Sequence, residues 1–177
     1  GNPEHGYCYF SPSWHFRKNL LTSEIVEDLR QDGKGLLSVG SGPAYLERFL
    51  VTRMGIKREQ ITLSDKSSVM PEGFEQFIFD MHGDWPDFGK KFDYIIFPES
   101  ANLDRRIDGD YYGDWRGLNR LIASALTAVN PKGQIRMDGI PNYIGETVPE
   151  LGKVQREIFP AIELRYSNEL LVVDKRG

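Results

Sequence analysis

Leu36-Leu37-Ser38-Val39-Gly40-Ser41-Gly42-Pro43-Ala44-Tyr45 decides the fold. Leu36 to Val39 is a short, mainly apolar run of the kind that forms a buried strand. Gly40-Ser41-Gly42-Pro43 stops it abruptly. A helix follows in which Leu46, Phe49 and Leu50 share one face until Gly55 ends it. Gly40 can take a tight bend that a side chain would block, and Gly42 lets a ligand approach the main chain. The helix start behind them offers N–H groups to an anionic group. Strand, glycine turn and helix form the first unit of a layered α/β domain with a ligand at the turn.

The alternation continues downstream. Ile61-Thr62-Leu63-Ser64 is a second strand ending at Asp65. The following residues contain Pro71 and Gly73 and support only a short turn. Phe77-Ile78-Phe79 is a third strand ending at Asp80, and Phe92 to Phe97 is a fourth ending at Pro98-Glu99-Ser100. A polar loop runs through Asp104, Arg105, Arg106, Asp108 and Asp110. Trp115, Leu118, Leu121, Ile122, Ala125 and Val129 then form the apolar stripe of a helix, which Asn130-Pro131-Lys132-Gly133 ends. Gln134 to Met137 is a fifth strand. Thr147-x-x-Glu150 has the capping-box pattern before a helix carrying Leu151, Val154 and Ile158. Ala161 to Tyr166 and Glu169 to Asp174 are separated by Ser167-Asn168 and predict an antiparallel hairpin. Upstream, Ser11-Pro12 opens a helix whose apolar positions include Leu21, Ile25, Val26 and Leu29, and Asp32-Gly33 stops it.

Helical crossovers impose parallel pairing, while the terminal hairpin reverses one strand. The expected fold is a three-layer α/β sandwich around a seven-stranded, mostly parallel sheet with one antiparallel strand near an edge. Ligands of such sheets sit outside the carboxyl ends of the strands, where the winding direction switches. The Gly40 loop belongs there.

At 177 residues the chain has the length of one domain. Apolar residues are 40% and charged residues 27%, a soluble globular composition. The net charge of −4 argues against nucleic acid or an anionic membrane as the default partner. Cys8 is the one cysteine, so no intramolecular disulfide forms, which suits a reducing compartment. No apolar run approaches the ~20 residues of a membrane helix. The first residues lack the layout of a secretory signal, and a cytoplasmic location is expected.

Twenty-five residues after Gly40, Asp65 ends the second strand. A carboxylate there can accept hydrogen bonds from both hydroxyls of a ribose. Together the two features bind a cofactor containing a nucleoside. A dinucleotide fingerprint wants a third glycine where this chain has Tyr45. A bulky ring at that point would push the helix from the strand, which disfavours NAD or FAD.

Residues from about Gly35 to Lys175 resemble the class I (Rossmann-like) S-adenosylmethionine-dependent methyltransferase family. Gly40 and Gly42 match the first two glycines of its first motif, Ala44 replaces the third, and Ser38 replaces an acid that helps hold the methionine ammonium. Asp65 matches the ribose-binding acid. Asp80-Met81-His82 resembles the adenine-recognition motif. Phe92-Asp93-Tyr94-Ile95-Ile96 resembles the fourth motif, and Asn130-Pro131-Lys132-Gly133 the turn before the fifth strand. The resemblance implies a single domain. Residues 35–177 are its core, and residues 1–34 an aromatic segment and helix able to close over the site. It also implies S-adenosylmethionine as cofactor, held by Gly40, Ser41, Gly42, Asp65, Asp80 and Met81, and methyl transfer; with no basic character in the composition, a small molecule is the expected acceptor. The alternatives are a relative that transfers the aminocarboxypropyl group, and a silent ligand-binding protein of the same fold.

Methyl transfer needs alignment of donor and acceptor, and removal of a proton where the acceptor carries one. Glu99 and His82 are the candidate catalytic residues. Glu99 is otherwise a capped strand end or an ion-pair member, and His82 otherwise stacks near the adenine. Tyr7, Tyr9, Phe10, Trp14, His15 and Phe16 either pack the first helix or shape the acceptor pocket; Tyr111, Tyr112 and Trp115 have the same two readings. Asp104, Asp108 and Asp110 read as a solvated loop, and no metal is expected. No G-x-S-x-G turn or P-loop is present, which lowers hydrolase and triphosphatase readings.

Overall fold

In the computed structural model the described residues are 10–101, 103, 106, 107, 110, 111 and 115–177. The elements in chain order are α1 (Pro12–Arg17), α2 (Ser23–Leu29), β1 (Leu36–Val39), α3 (Tyr45–Met54), β2 (Ile61–Asp65), β3 (Glu75–Ile78), β4 (Phe92–Phe97), β5 (Arg106–Ile107), β6 (Asp110–Tyr111), α4 (Trp115–Ala128), β7 (Val129–Met137), α5 (Asn142–Gly145), α6 (Val148–Arg156), β8 (Ile162–Ser167) and β9 (Leu170–Lys175). The main sheet has seven strands in the order β3-β2-β1-β4-β7-β9-β8, and β9 is antiparallel to both β7 and β8. The expected mostly parallel sheet with one reversed strand is thus observed. β5 and β6 pair as a separate two-stranded hairpin within what reads as a polar loop.

Alternation along the strands builds two cores, one on each sheet face. Leu37, Val39, Ile95 and Phe97 pack with Leu118, Leu121, Ile122 and Ala125 of α4. Leu36 and Ile96 pack on the opposite face with Ile25, Leu29, Leu46 and Leu50 of α2 and α3. Burial of each large aliphatic side chain contributes about 1.5–3 kcal/mol, which fixes the register of β1 and β4. The winding reverses between β1 and β4, and the loops after these two strands open a crevice at the carboxyl edge. No helix among the described residues is long and apolar enough to cross a membrane.

Three local expectations are corrected. The N-terminal helix is two helices: Asn19 turns left-handed (φ 61°), and Thr22 caps α2 by accepting from Ile25 N–H. Buried Arg136 of β7 ties down that turn by donating to the carbonyls of Asn19 and Leu20 at 2.6 and 2.8 Å. Thr147 does not form a capping box; its backbone is already helical, and its hydroxyl donates to the Ile144 carbonyl at 2.6 Å. The last hairpin turns at Asn168-Glu169, one residue later than expected, because a two-residue turn of this hand needs positive φ at both positions (50° and 64°).

Candidate functional site

The glycine loop is built from left-handed residues at alternate positions: Gly40 (φ 73°), Gly42 (φ 55°) and Ala44 (φ 60°). Gly40 and Ser41 donate their N–H groups to the Ser64 carbonyl at 2.8 and 2.9 Å, and Ala44 N–H reaches Ser41 at 3.0 Å. Gly42 N–H donates to Asp65 Oδ2 at 2.8 Å. These four amides are occupied inside the protein. The loop uses them to dock on the end of β2, so any N–H groups offered to an anion are those at the start of α3 behind the loop. A Cβ at Gly40 would lie 2.5 Å from Ser100 Cβ, so the loops after β1 and β4 touch at this point.

Asp65 is buried. Its Oδ1 accepts from Ser67 N–H at 3.2 Å and from the Ser67 hydroxyl at 3.4 Å. A carboxylate has about four acceptor positions, so capacity is left for a ligand hydroxyl. After β3, exposed Asp80 accepts from His82 N–H at 2.9 Å, Met81 O accepts from Trp85 Nε1 at 2.8 Å, and His82 is buried. After β4, Ser100 Oγ donates to Val39 O at 2.6 Å. Glu99 takes a left-handed conformation (φ 51°), and its Oε1 accepts from Trp14 Nε1 at 3.2 Å. Burial, and then the nearby Asp138 carboxylate, hold the Glu99 carboxyl above the usual carboxylate range.

One cavity of about 520 Å³ lies at this crevice. It is lined by all eight residues nominated from the sequence: Gly40, Ser41, Gly42, Asp65, Asp80, Met81, His82 and Glu99. They come from the ends of β1, β2, β3 and β4. A cofactor-sized ligand fits a cavity of this volume. Phe10 and His15 from the N-terminal segment complete the wall. Of the other aromatic candidates, Trp14 stacks on Phe10 and holds Glu99, while Phe16 packs edge-on against Phe49. Tyr7, Tyr9, Asp104, Asp108 and Tyr112 lie outside the described residues.

Sequence reasoning named His15 within the aromatic cluster but missed its partner Asp138, and it missed Glu47. His15 Nδ1 lies 2.7 Å from Asp138 Oδ2, both residues are buried, and the other Asp138 oxygen accepts from Glu99 N–H. Only tertiary structure brings α1 to the end of β7, so no local pattern announces this pair. Glu47 is 1% exposed and lines the cavity. Ser38 Oγ donates to its Oε1 at 3.1 Å. Burial pushes its carboxyl up to about 7. Its signal was present: Glu47 stands three positions before Leu50, on the apolar face of α3.

No protein-family model and no curated protein sequence matches the chain. Solved structures do. The plantazolicin methyltransferase BpumL, in complex with a monoazolic desmethylPZN analogue and S-adenosylhomocysteine, superposes with a TM-score of 0.61 at 10% identity, over 94% of this chain and 85% of that one. The sugar N-methyltransferase KedS8 from a Streptoalloteichus species superposes with a TM-score of 0.59 at 12% identity, over 93% and 91% of the two chains. The chain has the class I methyltransferase fold. It spans 58% of the length of the amino pentose methyltransferase CalS10 from Micromonospora echinaspora, matched over 76% of this chain at 16% identity and a TM-score of 0.49.

Within this methyltransferase fold the steric argument from Tyr45 is corrected. Its ring is 49% exposed at the first turn of α3, whereas Ala44 is the residue pressed between helix and sheet. What separates the fold from an all-parallel dinucleotide-binding sheet is the antiparallel β9, inserted between β7 and β8.

Proposed function

We propose that the protein is an S-adenosylmethionine-dependent methyltransferase acting on a small molecule. The observation that carries this reading is the convergence of Gly40, Ser41, Gly42, Asp65, Asp80 and Met81 on one cavity at the switch point of the sheet. The residues fit the cofactor. Gly40 keeps the crevice open where a side chain would fill it, Asp65 has an acceptor position left for a ribose hydroxyl, and Asp80 stands at the exposed rim for the adenine amino group. When bound, the cofactor supplies an activated methyl group on a sulfonium.

The chain's own residues then align the acceptor and move its proton. A carboxylate only accepts hydrogen bonds, so toward Asp138 the His15 ring donates from Nδ1, which leaves Nε2 as the nitrogen able to accept a proton. His15 is the residue best placed to take a proton from the acceptor, with Glu99 beside it as a second carboxylate. Phe10 lines the same cavity and stacks on Trp14. The acceptor as a small molecule is supported by the net charge of −4 and by fold neighbours that are sugar and plantazolicin methyltransferases.

Calorimetric titration with S-adenosylhomocysteine, with NADH in parallel, tests the cofactor assignment. One-to-one micromolar binding of S-adenosylhomocysteine alone is the expected result. Binding of NADH instead, or of neither by the folded protein, rejects it. Product analysis with acceptors then separates S-adenosylhomocysteine, the mark of methyl transfer, from methylthioadenosine, the mark of aminocarboxypropyl transfer.

A further inference from the structure

Position 38 holds a hydroxyl, and the carboxylate next to it comes from the following helix. Ser38 Oγ donates to Glu47 Oε1 at 3.1 Å, while Glu47 Oε2 is buried at the wall of the cavity without a hydrogen-bond partner among the described residues. A buried carboxylate with an unused acceptor is costly unless it is neutral or meets a cation. Other titratable groups lining the same cavity are His15 from α1, Asp65 and Lys66 after β2, Asp80 and His82 after β3, and Glu99 after β4.

We propose that Glu47 is the anionic partner of a primary ammonium group bound at this end of the cavity, taking the place of a carboxylate at position 38. The proposal rests on the cofactor reading above, and concerns which atom of this chain holds the cofactor's ammonium. Ser38 orients the carboxyl through Oε1 and leaves Oε2 for the ligand. In the free protein the buried carboxyl retains a proton near neutrality. An arriving ammonium favours the carboxylate; the carboxyl proton leaves to solvent, and an N–H···O bond forms at Oε2. Binding of the ammonium is therefore coupled to proton release. Affinity rises as pH increases through neutrality and then levels off.

The test is titration calorimetry of the wild-type chain and Glu47→Gln with two probes, S-adenosylhomocysteine and 5′-methylthioadenosine. The second probe lacks the ammonium-bearing arm. Buffers of different ionisation enthalpy report the protons exchanged. Expected is a loss of S-adenosylhomocysteine affinity in Glu47→Gln of about ten- to hundredfold, the size of a charge-assisted hydrogen bond. Methylthioadenosine affinity stays unchanged, which also shows that the variant is folded. Wild type releases protons near neutrality with S-adenosylhomocysteine only. If wild type binds S-adenosylhomocysteine without exchanging protons, or Glu47→Gln binds it equally well, the role of Glu47 is overturned and the cofactor reading stands. If neither probe binds wild type, the cofactor reading itself falls and the proposal falls with it.

Discussion

His15 and Asp138 stand 123 positions apart in the sequence and meet at 2.7 Å, Nδ1 to Oδ2, in the buried wall of the cavity. The pair joins the N-terminal helix to the carboxyl edge of the sheet. Asp138 also accepts from Glu99 N–H, so one carboxylate sets the position of both the imidazole and the loop after β4. Arg136, two residues earlier on β7, anchors the turn after α1 and holds His15 in register.

His15→Gln is expected to lower turnover by about 10²–10⁴-fold, the usual contribution of a general base. Affinity for S-adenosylhomocysteine should stay within a few-fold of wild type. In Asp138→Asn, Oδ1 still accepts from Glu99, while the amide now donates to Nδ1 and moves the imidazole proton to Nε2. Turnover should fall by a comparable factor with the fold intact. Single-turnover kinetics on both variants check this; unchanged rates remove the pair from the chemistry.

Asp65 has two tasks that substitution separates. Asp65→Ala removes the acceptor of buried Gly42 N–H, and an unsatisfied buried donor costs about 1–3 kcal/mol. Asp65→Asn keeps an acceptor for Gly42 but loses the charge toward a ribose hydroxyl. The alanine variant should therefore be measurably destabilised in urea. In the asparagine variant the amide nitrogen faces the part-buried Ser67 N–H in place of its acceptor, so its stability should lie between those of the alanine variant and wild type, while it binds S-adenosylhomocysteine about tenfold more weakly. Equal binding by the asparagine variant and wild type would remove the Asp65 charge from ligand recognition.

Glu47 makes ligand-free stability depend on pH in a defined direction. Burial pushes its carboxyl up to about 7 in the folded protein, against about 4.5 for a glutamate in the unfolded chain. Between these values the native state binds the extra proton, so this group's contribution is full below about pH 4.5, falls as pH rises toward 7, and levels off above. Glu47→Gln stays neutral throughout and escapes the loss. Its stability relative to wild type should therefore rise between pH 5 and pH 8, by about 3 kcal/mol at most. Urea unfolding near the two pH values reads this directly, and a difference that does not change with pH contradicts it.

Gly40 is constrained by the protein before any ligand arrives. A Cβ there would meet Ser100 Cβ at 2.5 Å and Met81 Cε at 3.0 Å, at a φ of 73° that favours glycine. Gly40→Ala should destabilise the fold by about 1–3 kcal/mol as well as weaken ligand binding. Adding Ser100→Gly removes the closest contact but leaves the left-handed strain. The double variant should thus recover only part of the loss in thermal unfolding. Full recovery would show that the contact, and not the backbone conformation, sets the cost.

The order of elements and the position of the site were legible in the sequence because both are written locally. Leu36–Val39, the Gly40–Pro43 break and the Leu46/Leu50 face report backbone conformation and one-sided burial, and these need no distant partner. Asp65, Asp80 and Glu99 were legible because each follows a strand, and parallel pairing brings strand ends to one edge whatever the intervening loops do. Tertiary structure alone decided the rest. The Tyr45 ring turns outward and Ala44 inward because the left-handed turn at Ala44 sets the rotation of α3. The same rotation carries Glu47 against Ser38, and the Arg136 anchor brings His15 to Asp138. Buried polar groups are positioned by whatever partner the completed fold presents to them, so the glycine turn could be read from the chain, whereas the pairing of Glu47 with Ser38 and of His15 with Asp138 could not.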